Sequence, residues 1–137
     1  MADGYRILVT GSREWDDWRT ITGALIEAAD GKPRPVTVVH GCARGADSLA
    51  AQAARKLLWE VEDHPADWER HGKAAGFRRN AEMVALGADV CLAFVRDGSR
   101  GATHCLKLAE KAGIPVRRFD YWSIGEEPVW PDGMYAP

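Results

Sequence analysis

The chain has 137 residues, of which 46% are hydrophobic and 28% are charged, and its formal net charge is -2 with an isoelectric point of about 6.1. This length suits one domain with one core, and the composition is typical of a globular protein in water. The negative net charge argues against a protein whose overall charge attracts it to DNA or to an acidic membrane. No apolar run approaches the ~20 residues that span a bilayer, and no signal-peptide pattern is present. We therefore expect a cytoplasmic protein that has no membrane partner.

The cysteines and histidines give no sign of a metal centre. Cys42, Cys91 and Cys105 are odd in number and widely spaced, which fits a reducing compartment better than a disulfide framework. The sequence has no CxxC pair and no HxxxH spacing, the patterns that most often bind structural zinc. We predict no metal and no cofactor.

Strand-like and helix-like segments alternate along the chain. The predicted strands cover residues 5–10, 36–40, 60–64, 89–95 and 115–119. The predicted helices cover residues 17–29, 47–58, 71–86 and 101–112. This alternation predicts an α/β fold, a Rossmann-like three-layer α/β/α domain with a parallel sheet of about five strands. The domain is predicted over residues 1–122, and residues 123–137, with three prolines and two glycines, are predicted to form an irregular tail on its surface.

Loops rich in glycine and arginine follow the first, second and fourth predicted strands. In a parallel sheet these loops lie together at the carboxyl ends of the strands, where such folds bind ligands. Glycine permits close approach of backbone N–H groups to an anion, helix N-termini add donors, and arginine adds charge-assisted bonds. The predicted ligand-binding residues of these loops are Gly11, Ser12, Arg13, Gly41, Arg44, Gly45, Ala46, Asp47, Gly98, Ser99, Arg100, Gly101 and Thr103. A simpler interpretation is that the glycines form turns and that Asp47 is a helix N-cap.

The two best-known nucleotide-binding fingerprints are absent. The sequence contains no GxGxxG motif. A Walker A loop ending at Gly72-Lys73 would need glycine at position 67, where Asp67 stands, and Ser or Thr at position 74, where Ala74 stands. A conventional dinucleotide fold and a P-loop NTPase are therefore not supported.

The third predicted helix carries an arginine on an apolar side. Arg79 is spaced to share this side with Ala75, Met83 and Leu86. A guanidinium group there is costly unless it meets an anion or a carboxylate, so Arg79 is a candidate ligand contact. The alternative is a side chain that extends to water at the edge of the helix. Asn80, the next residue, is predicted to contact a ligand base or sugar.

Aromatic residues follow the first and third predicted strands. Trp68 is predicted to stack on a base and Asp67 to bind ribose hydroxyls, whereas the simpler interpretation is a turn in which Asp67 is an N-cap. Trp15 and Trp18 follow the first glycine loop. One of them is a candidate cover for the ligand, although packing of the helix also explains Trp18.

These segments together resemble the YspA/YpsA-related branch of the SLOG superfamily, over about residues 5–119. The matching motifs are residues 9–15, 40–47, 65–68, 72–76, 79–83 and 98–101. The fourth of these motifs contains Lys73, a further predicted ligand-binding residue. The resemblance implies a Rossmann-like fold, a nucleotide-derived ligand and an origin in bacteria or their phages. More distant members include the cytokinin-activating phosphoribohydrolases and the DNA-processing protein DprA.

The resemblance also bears on catalysis. The phosphoribohydrolases carry an RKxxM motif, of which Arg79 and Met83 keep the ends, and a PGGxGTxxE motif, of which Gly98 and Gly101 keep two glycines. The catalytic glutamate of the second motif falls on Cys105. A thiol does not replace a carboxylate that stabilises an oxocarbenium-like transition state.

Three functions follow as hypotheses. The first is a module that senses or sequesters a nucleotide or a nucleotide-derived phosphorylated molecule. The second is a nucleoside 5′-monophosphate phosphoribohydrolase or related N-glycosidase, in which Arg79 is the candidate catalytic residue. The third, binding of single-stranded DNA as in DprA, is disfavoured by the negative net charge. A homodimer is the expected oligomer, and nucleic acid is not an expected partner.

Overall fold

A computed structural model of the protein describes residues 4–121. The tail predicted at residues 123–137 lies outside the described residues. The strands are β1 (Tyr5–Gly11), β2 (Val36–His40), β3 (Glu60–Asp63), β4 (Val90–Arg96) and β5 (Val116–Tyr121). The helices are α1 (Trp18–Ala29), α2 (Ala46–Lys56), α3 (Trp68–His71), α4 (Ala75–Leu86) and α5 (Arg100–Lys111). Within residues 4–121, no helix combines the length and the apolar character needed to cross a membrane.

The five strands form one parallel sheet in the order β3-β2-β1-β4-β5. Ile7 on the central strand is paired with Val38 on one side and Val90 on the other. Along the chain, β2 and then β3 are added on one side of β1, whereas β4 and β5 are added on its other side. The strand order therefore reverses at β1 and β4, and the carboxyl ends of these strands border the crevice that such reversals create.

Each face of the sheet packs against a pair of helices. Because strand residues alternate between faces, Ile7 points towards the layer of α1 and α2, while Leu8 points towards α4 and α5. Both side chains are fully buried, as is Phe94 on β4. The predicted three-layer Rossmann-like fold, with central strands buried on both sides, is confirmed.

The helix predicted over residues 71–86 instead begins at Ala75, and a short helix that the sequence did not predict, α3, precedes it. Asp67 caps α3, its carboxylate accepting a hydrogen bond from the backbone N–H of Arg70. Gly72 then adopts a positive φ of 55° and begins a short 3-10 turn, Gly72–Ala74, before α4 starts. The predicted apolar stripe of α4 was also too long, because Leu86, in its last turn, is 61% exposed.

The two tryptophans after β1 lie in different environments. Trp15 is buried against Phe94, with ring centroids 5.4 Å apart, and its Nε1 donates to the carbonyl oxygen of Asp17. Asp17 caps α1 and makes Trp18 the first residue of the helix, where its side chain is 55% exposed. Packing against β4 therefore explains Trp15, and the interpretation that helix packing explains Trp18 was wrong.

Candidate functional site

A cavity of about 480 Å³ opens where the strand order reverses. Its walls come from the loops after β1 and β4, from α3 and α4, and from the first turn of α5. The predicted site residues that line it are Gly11, Ser12, Arg13, Asp47, Trp68, Lys73, Arg79, Asn80, Ser99 and Gly101. Lining residues that the sequence did not indicate include Glu14, Gly76, Phe77, Met83 and Arg96.

A second cavity of about 570 Å³ lies beside the first, between the loops that follow β2 and β3. Two further predicted residues, Gly41 and Arg44, line it. We call these two spaces the first and the second cavity. Predicted site residues that line neither cavity are Gly45, Ala46, Asp67, Gly98, Arg100 and Thr103.

Two of the predicted phosphate-loop glycines are needed for packing within the chain. A methyl group at Gly11 would collide with the side chain of Ala46 at the start of α2. Gly45 has a φ of 76°, and a methyl group there would lie 2.5 Å from the carbonyl oxygen of Arg13. The backbone N–H of Ala46 donates to the carbonyl oxygen of Ser12 at 3.2 Å. The start of α2 is thus packed against the β1 loop instead of being open to a ligand.

Asp47 holds the loop after β2 in shape. Its carboxylate accepts hydrogen bonds from the backbone N–H groups of Gly41 at 2.9 Å and Ala43 at 3.3 Å. The side chain is buried, which raises its pKa, while the two N–H groups and the charges of His40 and Arg79 oppose this rise. The helix N-cap is Gly45, so the simple capping interpretation of Asp47 was wrong.

Arg79 is held by neutral groups at the boundary of the two cavities. Its Nη1 donates to the carbonyl oxygen of Gly41, and its Nε donates to Oδ1 of Asn80 at 3.0 Å. Among the described residues it forms no ion pair, although the buried carboxylate of Asp47 is close enough to interact electrostatically. The charge of Arg79 is therefore oriented but not neutralised, and N–H donors remain for an anion.

Asn80 is a positioning residue for Arg79. Its side chain is 5% exposed, so its polar atoms need partners inside the protein. The oxygen accepts from Arg79, and Nδ2 donates to Nδ1 of His104 at 3.3 Å. The amide thus links α4 to α5.

Two aromatic rings stand at the rim of the first cavity. Trp68 and Phe77 are each 49% exposed. The guanidinium carbon of Arg13 lies 5.7 Å from the Trp68 ring, and the Phe77 ring packs on His104 with centroids 4.3 Å apart. Exposed ring faces of this kind stack on planar aromatic ligands. Sequence reasoning missed Phe77 because residues two positions apart on a helix do not share one side.

The first turn of α5 faces the first cavity with free donors. The Ser99 side chain makes no capping hydrogen bond, although Ser99 precedes the helix. Gly101 and Ala102, in the first turn, line the cavity. Because the first N–H groups of a helix have no partner within it, they form a site for an anion.

Ser12 and Arg96 fix the two loops at the reversal point relative to each other. The Ser12 hydroxyl accepts a hydrogen bond from the Arg96 backbone N–H at 2.7 Å. The Arg96 side chain donates to the carbonyl oxygen of Glu14 at 2.8 Å, and its guanidinium carbon lies 4.7 Å from the Tyr121 ring. Sequence reasoning missed Arg96 because it is the last residue of a buried strand and lies before the loop motif that begins at Gly98.

Cys105 lies in the core beneath the cavity. Its side chain is 0% exposed and faces β1, where it makes a hydrogen bond with Thr10. Burial raises the pKa of this thiol to about 11, so it is neutral near pH 7. The position that the resemblance aligned with a catalytic glutamate thus holds no charge that a substrate would meet.

Three side chains beside the second cavity come close enough to be considered as a metal site. One nitrogen of His40, Sγ of Cys42 and one oxygen of Asp63 lie within 4.8 Å of one another. Nδ1 of His40 accepts a hydrogen bond from the Cys42 backbone N–H at 3.0 Å, so in the neutral ring the hydrogen resides on Nε2. Nε2 is 2.6 Å from Asp63 Oδ1, but in a direction that does not make a hydrogen bond. In this tautomer the buried Nε2 offers no lone pair to a cation.

The fold and the position of the cavity define a Rossmann-like α/β protein whose cleft lies at the switch point of a parallel sheet. A family model described as "YspA, cpYpsA-related SLOG family" matches residues 5–71. "Gene 61 protein" of Mycobacterium phage D29 is 50% identical to this chain over 119 residues, covering 83% of this chain and 95% of that protein. The chain belongs to the YspA, cpYpsA-related SLOG family. No solved structure gives a significant match.

These comparisons confirm the predicted family, and the phage relative fits an origin in bacteria or phages. The family model ends at residue 71, at the end of α3. The part of the cavity formed by Phe77, Arg79, Asn80 and Arg96 lies beyond that segment. The contribution of α4, β4 and α5 to the site therefore depends on the geometry of this chain.

Proposed function

We propose that this protein binds a nucleotide or a nucleotide-derived phosphorylated molecule in the first cavity, and that it senses or sequesters this molecule. One observation carries the proposal. Half-exposed aromatic rings, unpaired cationic side chains and the open N-terminus of α5 border the same space of about 480 Å³.

The chemistry of this space is complementary to the two ends of a nucleotide. Trp68 and Phe77 offer ring faces to a planar base, and base–aromatic stacking contributes about 1–3 kcal/mol per base. Arg13 and Lys73 form no ion pair with any described residue and supply positive charge for phosphate. The first-turn N–H groups of α5 supply neutral donors.

The buried Cys105 favours binding over hydrolysis by the mechanism of the phosphoribohydrolases. That mechanism needs a carboxylate which contacts the sugar as positive charge develops. A fully buried thiol with a pKa of about 11 supplies neither the negative charge nor the contact. The bound molecule is therefore expected to remain intact.

Hydrolysis of an N-glycosidic bond is a second candidate function because of Asp47. This buried carboxylate lines the first cavity near Arg79, and its raised pKa is a property of carboxyl groups that act as general acids. Release of free base from nucleoside 5′-monophosphates, abolished in Asp47→Asn, would support this function. Chromatography that recovers every nucleotide unchanged would exclude it for the compounds tested.

The proposal is tested on protein that has been unfolded, freed of metabolites and refolded. Calorimetric titration with the common nucleoside 5′-mono- and diphosphates should give saturable binding for at least one compound. Arg79→Ala should weaken that binding by about 10–100-fold, as expected for loss of hydrogen bonds to a charged group. Arg78→Ala, which changes the exposed neighbour on α4, is the matched control and should bind normally. Absence of binding to every compound at millimolar concentration would overturn the proposal.

A further inference from the structure

The two cavities are neighbours that share part of their wall. Arg13, Ala43, Trp68 and Arg79 line both of them. A molecule bound against these four residues can extend into the first cavity, between α4 and the β4 loop, and into the second, between the β2 and β3 loops. The combined space exceeds what a single nucleoside needs, since pockets of about 300–1,000 Å³ hold whole drug-sized ligands.

The shared wall carries two arginines. The guanidinium carbon of Arg13 lies 5.7 Å from the centre of the Trp68 ring, and Arg79 donates to Gly41 and Asn80. Neither arginine forms an ion pair with a described residue. By contrast, Arg44, at the outer side of the second cavity, pairs with Glu14 at 2.9 Å. An anionic group at the shared wall would therefore gain two charge-assisted contacts.

The second cavity combines three arginines, Arg13, Arg44 and Arg79, with small or apolar side chains that suit a neutral organic group. Cys42, Ala43, Pro65 and Ala66 supply small or apolar side chains to it. Cys42 adopts a left-handed φ of 61°, which turns the chain at the end of β2. Burial raises the pKa of the Cys42 thiol, so the group is uncharged near neutral pH. Trp68 lines this cavity as well as the first one.

We propose that the ligand has two organic ends joined by a central phosphate or diphosphate. In this arrangement Arg13 and Arg79 hold the phosphate at the shared wall, a nucleoside occupies the first cavity, and the second organic group occupies the second cavity. This inference rests on the proposed function, because it assigns the class of molecule that the same site takes.

The test compares ligands that differ only in the second end. Nucleoside 5′-diphosphates are titrated beside the symmetrical dinucleoside diphosphates that contain the same base. The dinucleoside compound should bind at least about tenfold more tightly, because its second end binds as part of an already anchored molecule. Ala66→Trp, which narrows the second cavity only, should remove this advantage and leave the affinity for the nucleoside diphosphate unchanged. Ala112→Trp, at an exposed position after α5, is the control for a tryptophan added elsewhere.

The outcomes separate this inference from the proposed function. If no nucleotide of either kind binds, the proposed function itself fails. If nucleoside diphosphates bind but the dinucleoside compounds bind no more tightly, the function stands and the two-ended ligand is overturned. The two-ended ligand is also overturned if Ala66→Trp lowers the affinity for both kinds of ligand equally while its melting temperature matches that of the wild type.

Discussion

The guanidinium group of Arg79 lies directly against Gly41, and a methyl group at position 41 would come within 2.6 Å of its Cζ. Gly41 has no positive φ, so its backbone conformation would accept alanine. Arg79, 38 positions later in the chain, can therefore occupy its place only because residue 41 has no side chain. The loop after β2 and helix α4 together determine where this charge stands.

Gly41→Ala should displace Arg79 with little effect on stability. The obstructing atoms are at the end of a flexible side chain, so the fold can accommodate the methyl group by moving Arg79. The affinity for the nucleotide identified by titration should fall by about 10–100-fold, as in Arg79→Ala. In a double-mutant cycle the combined variant should bind no worse than Arg79→Ala alone. Additive losses would show that the two residues act independently.

Trp68→Ala should weaken nucleotide binding without unfolding the protein. Loss of one stacked base costs about 1–3 kcal/mol, which corresponds to about 5–150-fold in affinity. Because half of the Trp68 surface is already exposed, the melting temperature should change little. Trp18→Ala removes a tryptophan of similar exposure that lines neither cavity, and its affinity measured by calorimetry should equal that of the wild type. Equal losses in both variants would argue against stacking on Trp68.

The three cysteines should differ sharply in reactivity. Cys42 is exposed, whereas Cys91 and Cys105 are fully buried and burial raises the pKa of both thiols. A chromogenic disulfide reagent should therefore titrate one thiol in the native protein and all three after unfolding. Cys42→Ser should reduce the native count to zero. In the wild type, the reaction of Cys42 should still accelerate as the pH rises above 9, because the pKa of this thiol lies above its ordinary value of 9.0. Rapid reaction of a second native thiol would contradict the burial of Cys105.

The ion pair between Arg6 and Glu62 should make stability depend on pH. The two side chains form paired hydrogen bonds of 2.8 and 2.9 Å between β1 and β3, and this lowers the pKa of Glu62 from 4.5 to about 2. A carboxyl group whose pKa is lower in the folded state stabilises that state above its unfolded pKa. This stabilisation is therefore complete above about pH 4.5 and is lost as the pH falls through about 2.

Urea unfolding of Glu62→Gln measures this contribution. At pH 7 the variant should lose about 1 kcal/mol, a value reduced for solvent screening because about a third of the Glu62 side chain is exposed. Near pH 3 the difference from the wild type should be smaller. Glu69→Gln, at an exposed position on α3, should show no such dependence. A difference that stays constant between pH 7 and pH 3 would exclude the ion pair as its cause.

Local patterns were sufficient to predict the layers of the fold. Continuous apolar strands such as residues 90–95 are buried on both sides, and the alternation of strands with helices leads to a parallel sheet. The break at Gly72 was missed because glycine in a short helical pattern does not reveal its φ. The exposure of Trp18 was missed because it depends on which residue caps α1.

The alternation of strands and helices already implies that the glycine and arginine loops meet at one edge of the sheet, because parallel strands all end there. It does not imply which of those residues line the cavities. Gly11 and Gly45 are required by chain packing, Asp67 by the start of α3, and the cavity instead gains Phe77 and Arg96. These assignments depend on how α2, α4 and the β4 loop approach one another. They could not be read from the sequence, because distances between residues far apart in the chain are set by the packing of whole layers.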